Sequence, residues 1–229
     1  MSKPEPKTTR DIEEIFEFLT LAEKLKTIKR DNLKSNGEFE TDADHSWMLA
    51  LMAILFEPKL KHKVDMARVM KLAVVHDLAE AETGDVSLHE QFSADGVKEA
   101  KDQAELEAMT KTCKLLPKKL GDEIYDLWRE YEDRKTPEAK YVKALDKLEA
   151  TFQSLMFEDI RYWERYGDGK IYYDIVLKDK KKLYYEHEES LVVFGEKLKE
   201  VTREKMLAAG LDLTEYDEDK NESSRIGAN

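Results

Sequence analysis

Three separated segments of this chain carry side chains able to hold a divalent cation. His45 lies in Asp44-His45-Ser46-Trp47, His76 and Asp77 follow the apolar run Leu72-Ala73-Val74-Val75, and Asp146 lies in Leu145-Asp146-Lys147-Leu148-Glu149. Glu80 and Asp85 follow shortly after the second group. A carboxylate placed after an apolar run is headed for the interior, where it needs a cation, a proton or strong hydrogen bonds. Adjacent helical residues point about 100° apart, so His76 and Asp77 can reach one ion only from a helix edge. Glu80 is four residues from His76 and three from Asp77, which puts it over the same face, on the ion's open side. Two imidazoles and two carboxylates form a mixed nitrogen and oxygen set that suits one divalent transition metal, whether Mn, Fe, Co, Ni, Cu or Zn. Plainer readings stand beside this one. Asp146 could pair with Lys143 or Lys147, His76 and Asp77 could form a buried hydrogen-bonded pair, and Glu80 could be solvated at a helix end.

The spacing requires helices to bring these residues together. Only 9 Gly and 5 Pro occur among 229 residues, and 38% of the chain is charged, a composition of long helices and short connections. Apolar residues recur at helical spacing over residues 11–29 (Ile12, Ile15, Phe16, Leu19, Ala22, Leu25), 45–56 and 65–82. Further helices are expected at 97–115, 117–134, 136–162 and 183–208, with 171–176 either helical or extended, and no convincing strand pattern appears. The polar stretch 30–44 and residues 85–96 read as loops. The expected architecture is an all-α globule of six or more helices. Residues 1–10 read as a flexible N-terminus and 11–208 as one helical domain with a C-terminal helical extension after about 167. Residues 209–229 read as a flexible tail. Trp47, Trp128 and Trp163 are expected in the core, and His62, His89 and His187 on the surface.

Composition excludes several classes. A formal net charge of −12 repels a phosphate polymer, so no nucleic-acid partner is expected. The single cysteine, Cys113, allows no intramolecular disulfide and no cysteine-rich zinc site. No apolar run approaches the ~20 residues needed to cross a bilayer, so no membrane partner is expected, and a cytoplasmic setting is the simple reading.

The order His, then His-Asp about thirty residues later, then a distant Asp resembles the HD-domain metal-dependent phosphohydrolases. Six ordered blocks are similar to their nucleoside 5′-monophosphatase branch, the bacterial 5′-deoxynucleotidase and eukaryotic HD-domain-containing protein 2 group. These are Asp42-Ala43-Asp44-His45-Ser46-Trp47, Ala73 through Ala81 around His76-Asp77, Thr83-Gly84-Asp85-Val86, Leu127 through Glu132, Glu138-Ala139-Lys140, and Leu145 through Glu149. The resemblance implies that His45, His76, Asp77 and Asp146 bind the metal, that Glu80 and Asp85 are catalytic, and that Arg30 binds the substrate phosphate. It implies hydrolysis of a nucleoside 5′-monophosphate, with 2′-deoxynucleotides preferred, by a homodimer. The stretch Arg30-Asp31-Asn32-Leu33 lacks the tryptophan that several relatives place beside the arginine.

Two rival functions follow from the same residues. Another HD phosphohydrolase would act on a deoxynucleoside triphosphate or a cyclic phosphodiester, and the few basic residues near the motifs speak against a triphosphate pocket. A non-catalytic, metal-stabilised helical interaction module is the second, and Glu80 beside a full ligand set speaks against it.

Overall fold

The computed structural model of the chain describes residues 5–86, 96–166 and 169–216. Helix α1 (Pro6–Ala22) leads through a 3₁₀ turn, Glu23–Lys26, to a two-stranded antiparallel sheet, β1 (Lys29–Leu33) and β2 (Phe39–Thr41). Then come α2 (Asp42–Phe56), α3 (Met66–Val75), the short α4 (Glu80–Thr83), α5 (Val97–Thr112), α6 (Lys118–Asp133), α7 (Pro137–Ser154), α8 (Lys170–Leu177) and α9 (Glu189–Ala208). The expected all-α class holds, with the small hairpin as its one addition among the described residues.

Helices α2, α3, α6 and α7 pack against one another around the central core, and α9 packs on α7 and α8. Leu49, Val69, Leu72, Leu127, Val142 and Leu145 are among its fully buried aliphatics. Local signals set the starts of the site-bearing helices. Thr41 Oγ1 accepts from Asp44 N at 3.2 Å while Asp44 Oδ2 accepts from Thr41 N at 3.1 Å, a reciprocal capping box. Asp65 caps α3 through Ala67 N, and Thr136 caps α7 with Pro137 in its first turn.

Several expectations are corrected. Helix α1 starts at Pro6, inside the segment read as flexible, because a proline in the first turn gives up no helical hydrogen bond. It ends at Ala22, and its inner side is Ile15, Phe18 and Ala22, while Ile12, Phe16 and Leu19 are exposed. The polar stretch after Lys29 forms the hairpin, where Arg30, Asp31 and Asn32 line one cleft. Trp47 is 64% exposed: His45, Leu49 and Met52 face inward, and two residues on from His45 a helix has turned about 200° away. Trp128 and Trp163 are buried as expected. Residues 171–176 are helical, and the last long helix begins at Glu189 rather than 183. Leu213 is buried and Tyr216 packs on the core, within the segment read as tail. His89 and residues 87–95 lie outside the described residues, as do 217–229. Among the described residues no helix is long and apolar enough to cross a membrane.

Candidate metal centre

Helix α3 does not run to Glu82. It stops at Val75, and residues 76–79 form a tighter turn, with Leu78 N donating to Val75 O and Glu80 N to Asp77 O. This break resolves the problem of aiming two adjacent residues at one point. His76 Nδ1 donates to Ala73 O at 2.9 Å, fixing the ring with Nε2 forward, and Asp77 Oδ2 comes within 3.2 Å of that Nε2.

His45 enters from the first turn of α2 and is fully buried. Its Nδ1 donates to Glu149 Oε2 on α7, which leaves Nε2 facing His76, with the ring centroids 5.2 Å apart. Asp146 Oδ1 is 3.5 Å and Asp77 Oδ2 3.8 Å from His45 Nε2. Donor atoms of His45, His76 and Asp146 all lie within 4.8 Å of one another. Neither Nε2 makes a hydrogen bond, although both are buried. Two orphaned imidazole nitrogens facing two carboxylate oxygens fit a divalent cation, because a buried polar atom otherwise finds a partner. Burial and Arg30 oppose protonation of His45, but Glu149 and Asp146 outweigh them and raise the imidazole to about 10. A cation competes with that proton for Nε2.

The fourth member is braced from α6 and from its own helix. Asp146 Oδ2 accepts from Tyr131 OH at 2.7 Å and lies 3.0 Å from Lys147 Nζ and 3.6 Å from Lys143 Nζ. Burial pushes this carboxyl up, but Lys147, Lys143 and His45 together hold it well below the usual range. The plain reading of Asp146 as a lysine partner and its place beside the two histidines therefore coexist, because its two oxygens face different ways.

Glu80 starts α4 and is buried, with Oε1 held by Lys101 Nζ at 3.0 Å and Oε2 making no hydrogen bond. Burial, reinforced by Asp77, lifts its carboxyl well above the usual range, against the pull of Lys101. Asp85 lies just past Gly84, whose φ of 75° turns the chain out of α4, and lines the same cleft. Burial raises Asp85 while Arg30 and Lys101 oppose the rise. Arg30 belongs to β1 rather than to the end of a helix. Its Nη1 donates to Asp77 Oδ2 at 2.9 Å and lies 3.4 Å from Asp42 Oδ1, so its partners are interior acids, not surface ones.

These residues open onto a cleft of about 350 Å³. Eight cationic and eight anionic side chains line it, so the cleft is locally balanced in a chain of net charge −12. The expectation of few basic residues near the motifs is corrected here. Lys143, Lys147, Lys180 and Lys181 all line the cleft, and the last two come from a segment remote in sequence.

Two buried acids escaped the sequence reading. Glu149 anchors His45, and Glu40 on β2 sits beside them, raised to about 8 by burial and by Glu149. A signal for Glu149 existed: it lies three residues after Asp146, on the same helical face. Glu149→Ala should weaken metal binding by ~10–100-fold through loss of His45 orientation. Titration against a competing chelator, with the helical circular dichroism unchanged, checks this, and unaltered affinity would remove Glu149 from the account.

Comparison with known proteins adds three findings. A family model described as HD domain matches residues 22–190. The 5′-deoxynucleotidase HDDC2 of Xenopus laevis is 37% identical over 148 residues, covering 64% of this chain and 70% of the relative. That of Danio rerio is 34% identical over 196 residues, covering 81% and 94%. A crystal structure of a predicted metal-dependent phosphohydrolase from Magnetospirillum magnetotacticum superposes with a TM-score of 0.72 at 28% identity, covering 90% of this chain and 98% of that one.

Proposed function

The chain belongs to the HD-domain family, and from that premise we propose that it is a metal-dependent phosphomonoesterase that hydrolyses nucleoside 5′-monophosphates, 2′-deoxynucleotides among them, to nucleoside and phosphate. The observation that carries the reading is the pair of buried, unbonded Nε2 atoms of His45 and His76 facing Asp77 and Asp146. Those four residues would hold one divalent transition ion. When bound, such an ion offsets phosphoryl charge and acidifies water.

The remaining residues do the positioning and the proton handling. Lys101 fixes Glu80 by one oxygen, and the other oxygen, Oε2, is placed to take a proton from the attacking water or give one to the leaving ribose oxygen. Asp85 borders the same space and shares Lys101 and Arg30 as its cationic surroundings. Arg30 holds Asp77 in the described structure, and its forked guanidinium can exchange that partner for a phosphate oxygen. Asn32, two residues on, is buried with its side-chain amide donating to Ala150 O at 3.0 Å, so it lines the cleft in a fixed pose.

A panel of ribo- and deoxynucleoside mono-, di- and triphosphates, assayed with each candidate ion, tests the reading. Inorganic phosphate released from monophosphates is the expected result. Tripolyphosphate from a deoxynucleoside triphosphate would favour the rival phosphohydrolase, a rival that the lysine-rich wall no longer argues against. Metal-dependent heat stability with no turnover of any phosphate ester would favour the interaction module.

The same reading includes a homodimer. Ile12, Phe16 and Leu19 project from one face of α1 into solvent, an apolar stripe that a second copy can cover. Light scattering on the eluting protein should give twice the chain mass, and Phe16→Asp should shift it toward the monomer.

A further inference from the structure

The segment after α8 is remote in sequence from every motif of the metal centre, and it reaches the cleft. Residues 178–181 turn sharply, with Asp179 in the left-handed region at φ 51° and Lys180 N donating to Ile175 O at 3.2 Å. The turn is pinned from outside: Tyr185 OH donates to Asp179 Oδ1, and Lys199 Nζ lies 3.6 Å from Asp179 Oδ2. A non-glycine residue held at positive φ by two side chains marks a fixed turn, not a drifting one.

This turn packs on α7 and presents Lys181 to the cleft. Lys181 Nζ donates to Thr151 Oγ1 at 3.4 Å, a long bond to a neutral group. Thr151 stands one helical turn beyond Lys147, and Lys147 one turn beyond Lys143, so the three lysines line one wall. Lys147 and Lys143 have Asp146 as counter-ion. Among the described residues Lys181 has no ion pair. Its closest charged influence after burial is repulsion from Lys147, which together lower its amine to about 8. Lys143 and Lys147 share one carboxylate and Lys181 has none, so an anion seated between Lys147 and Lys181 would gain charge-assisted hydrogen bonds that the described residues do not supply.

We propose that Lys181, with Lys147 beside it, forms a phosphate-binding wall of the cleft, so that the turn after α8 supplies a specificity determinant for the phosphoryl group of the substrate. The wall adjoins Asp146, whose Oδ2 is 3.0 Å from Lys147 Nζ, whereas Glu80 is held by a different lysine, Lys101. A phosphoryl group there would face Lys147 and Lys181, while Glu80 keeps its own partner, Lys101. The inference rests on the phosphomonoesterase reading for the identity of the ligand, but not for the existence of the anion site.

Inorganic phosphate is the probe that separates the two. Titrated calorimetrically into the metal-loaded full chain, it should bind Lys181→Met about tenfold or more weaker than the parent, the effect of losing one charged hydrogen bond. The same variant should raise KM for a nucleoside monophosphate by a similar factor while kcat changes by no more than about twofold, because the lost contact is made before and during the reaction alike. Lys181→Arg should recover most of the phosphate affinity. Lys182→Met, on the neighbouring residue outside the cleft, should change neither constant. Undiminished phosphate binding in a folded Lys181→Met protein overturns the inference, even if nucleotide is hydrolysed. Equal loss in Lys181→Arg and Lys181→Met also overturns it, since a packing defect rather than charge would then be the cause. Weakened phosphate binding in a chain that hydrolyses no nucleotide keeps the anion site and overturns the enzymatic reading instead.

Discussion

Asp77→Ala should bind its divalent ion at least ~100-fold more weakly and lose activity by on the order of 10³-fold at any metal concentration that leaves the parent loaded. The expectation follows from position. Asp77 Oδ2 is within 3.2 Å of His76 Nε2 and 3.8 Å of His45 Nε2, so it is the acid that spans both imidazoles. It also neutralises Arg30 Nη1 at 2.9 Å, so the alanine leaves that guanidinium facing Asp42 and Glu40 alone. Those two acids keep the arginine paired, which is why the fold should survive and the loss should appear in metal content. Metal analysis after gel filtration, beside a thermal melt without added metal, separates the two effects. A variant that retains stoichiometric metal and turnover would take Asp77 out of the site.

Glu80→Ala should behave in the opposite way. It should keep the ion, because Glu80 is not among the donors that surround the two Nε2 atoms, and lose ~10²–10⁴-fold in kcat, the usual contribution of a positioned proton-transfer group. Lys101 would not be stranded, since Glu105 Oε1 lies 3.2 Å from its Nζ. The structural cost is therefore small and the catalytic cost large. Near-parental kcat in a metal-loaded Glu80→Ala protein would show that another group handles the proton, and Asp85 is a further acid on the cleft wall.

The parts of the fold legible in the sequence are those that local physics decides. Thr136-Pro137 starts α7 and Asp65 starts α3, because a capping oxygen and a first-turn proline act within three or four residues. The convergence of His45, His76, Asp77 and Asp146 is legible for a related reason: each sits at a helix start, a helix end or the edge of an apolar stripe, so the core dictates where it points. The hairpin is not legible, because Arg30 and Asn32 face a polar cleft rather than an apolar core, and alternation of polar residues with polar residues gives no period. Trp47 misleads because it belongs to the apolar set of this helix with Met48, Leu51, Met52 and Leu55, whereas the face set by His45, Leu49 and Met52 turns Trp47 and Leu55 outward. The break after Val75 has no Gly or Pro to announce it, and its effect is to bring His76 and Asp77 to one point.

Long-range neighbours are the least legible. Glu40 and Glu149 are 109 residues apart in sequence, and Lys181 meets Thr151 across 30, so neither pairing leaves a local pattern. These are the contacts that turn four ligands into a site with an oriented imidazole and a cationic wall. Half of the cleft's C-terminal basic wall, Lys180 and Lys181, lies more than thirty residues from Asp146 and leaves no signal beside the motifs.

Crystals of the chain loaded with Mn or Co, measured at the metal absorption edge, give the most direct test of the central claim. The account predicts one strong anomalous peak within coordination distance of His45 Nε2, His76 Nε2, Asp77 and Asp146. A peak seated instead among Asp42, Asp77 and Glu80, or between Glu40 and Glu149, with the two imidazole Nε2 atoms left unbonded, would contradict it.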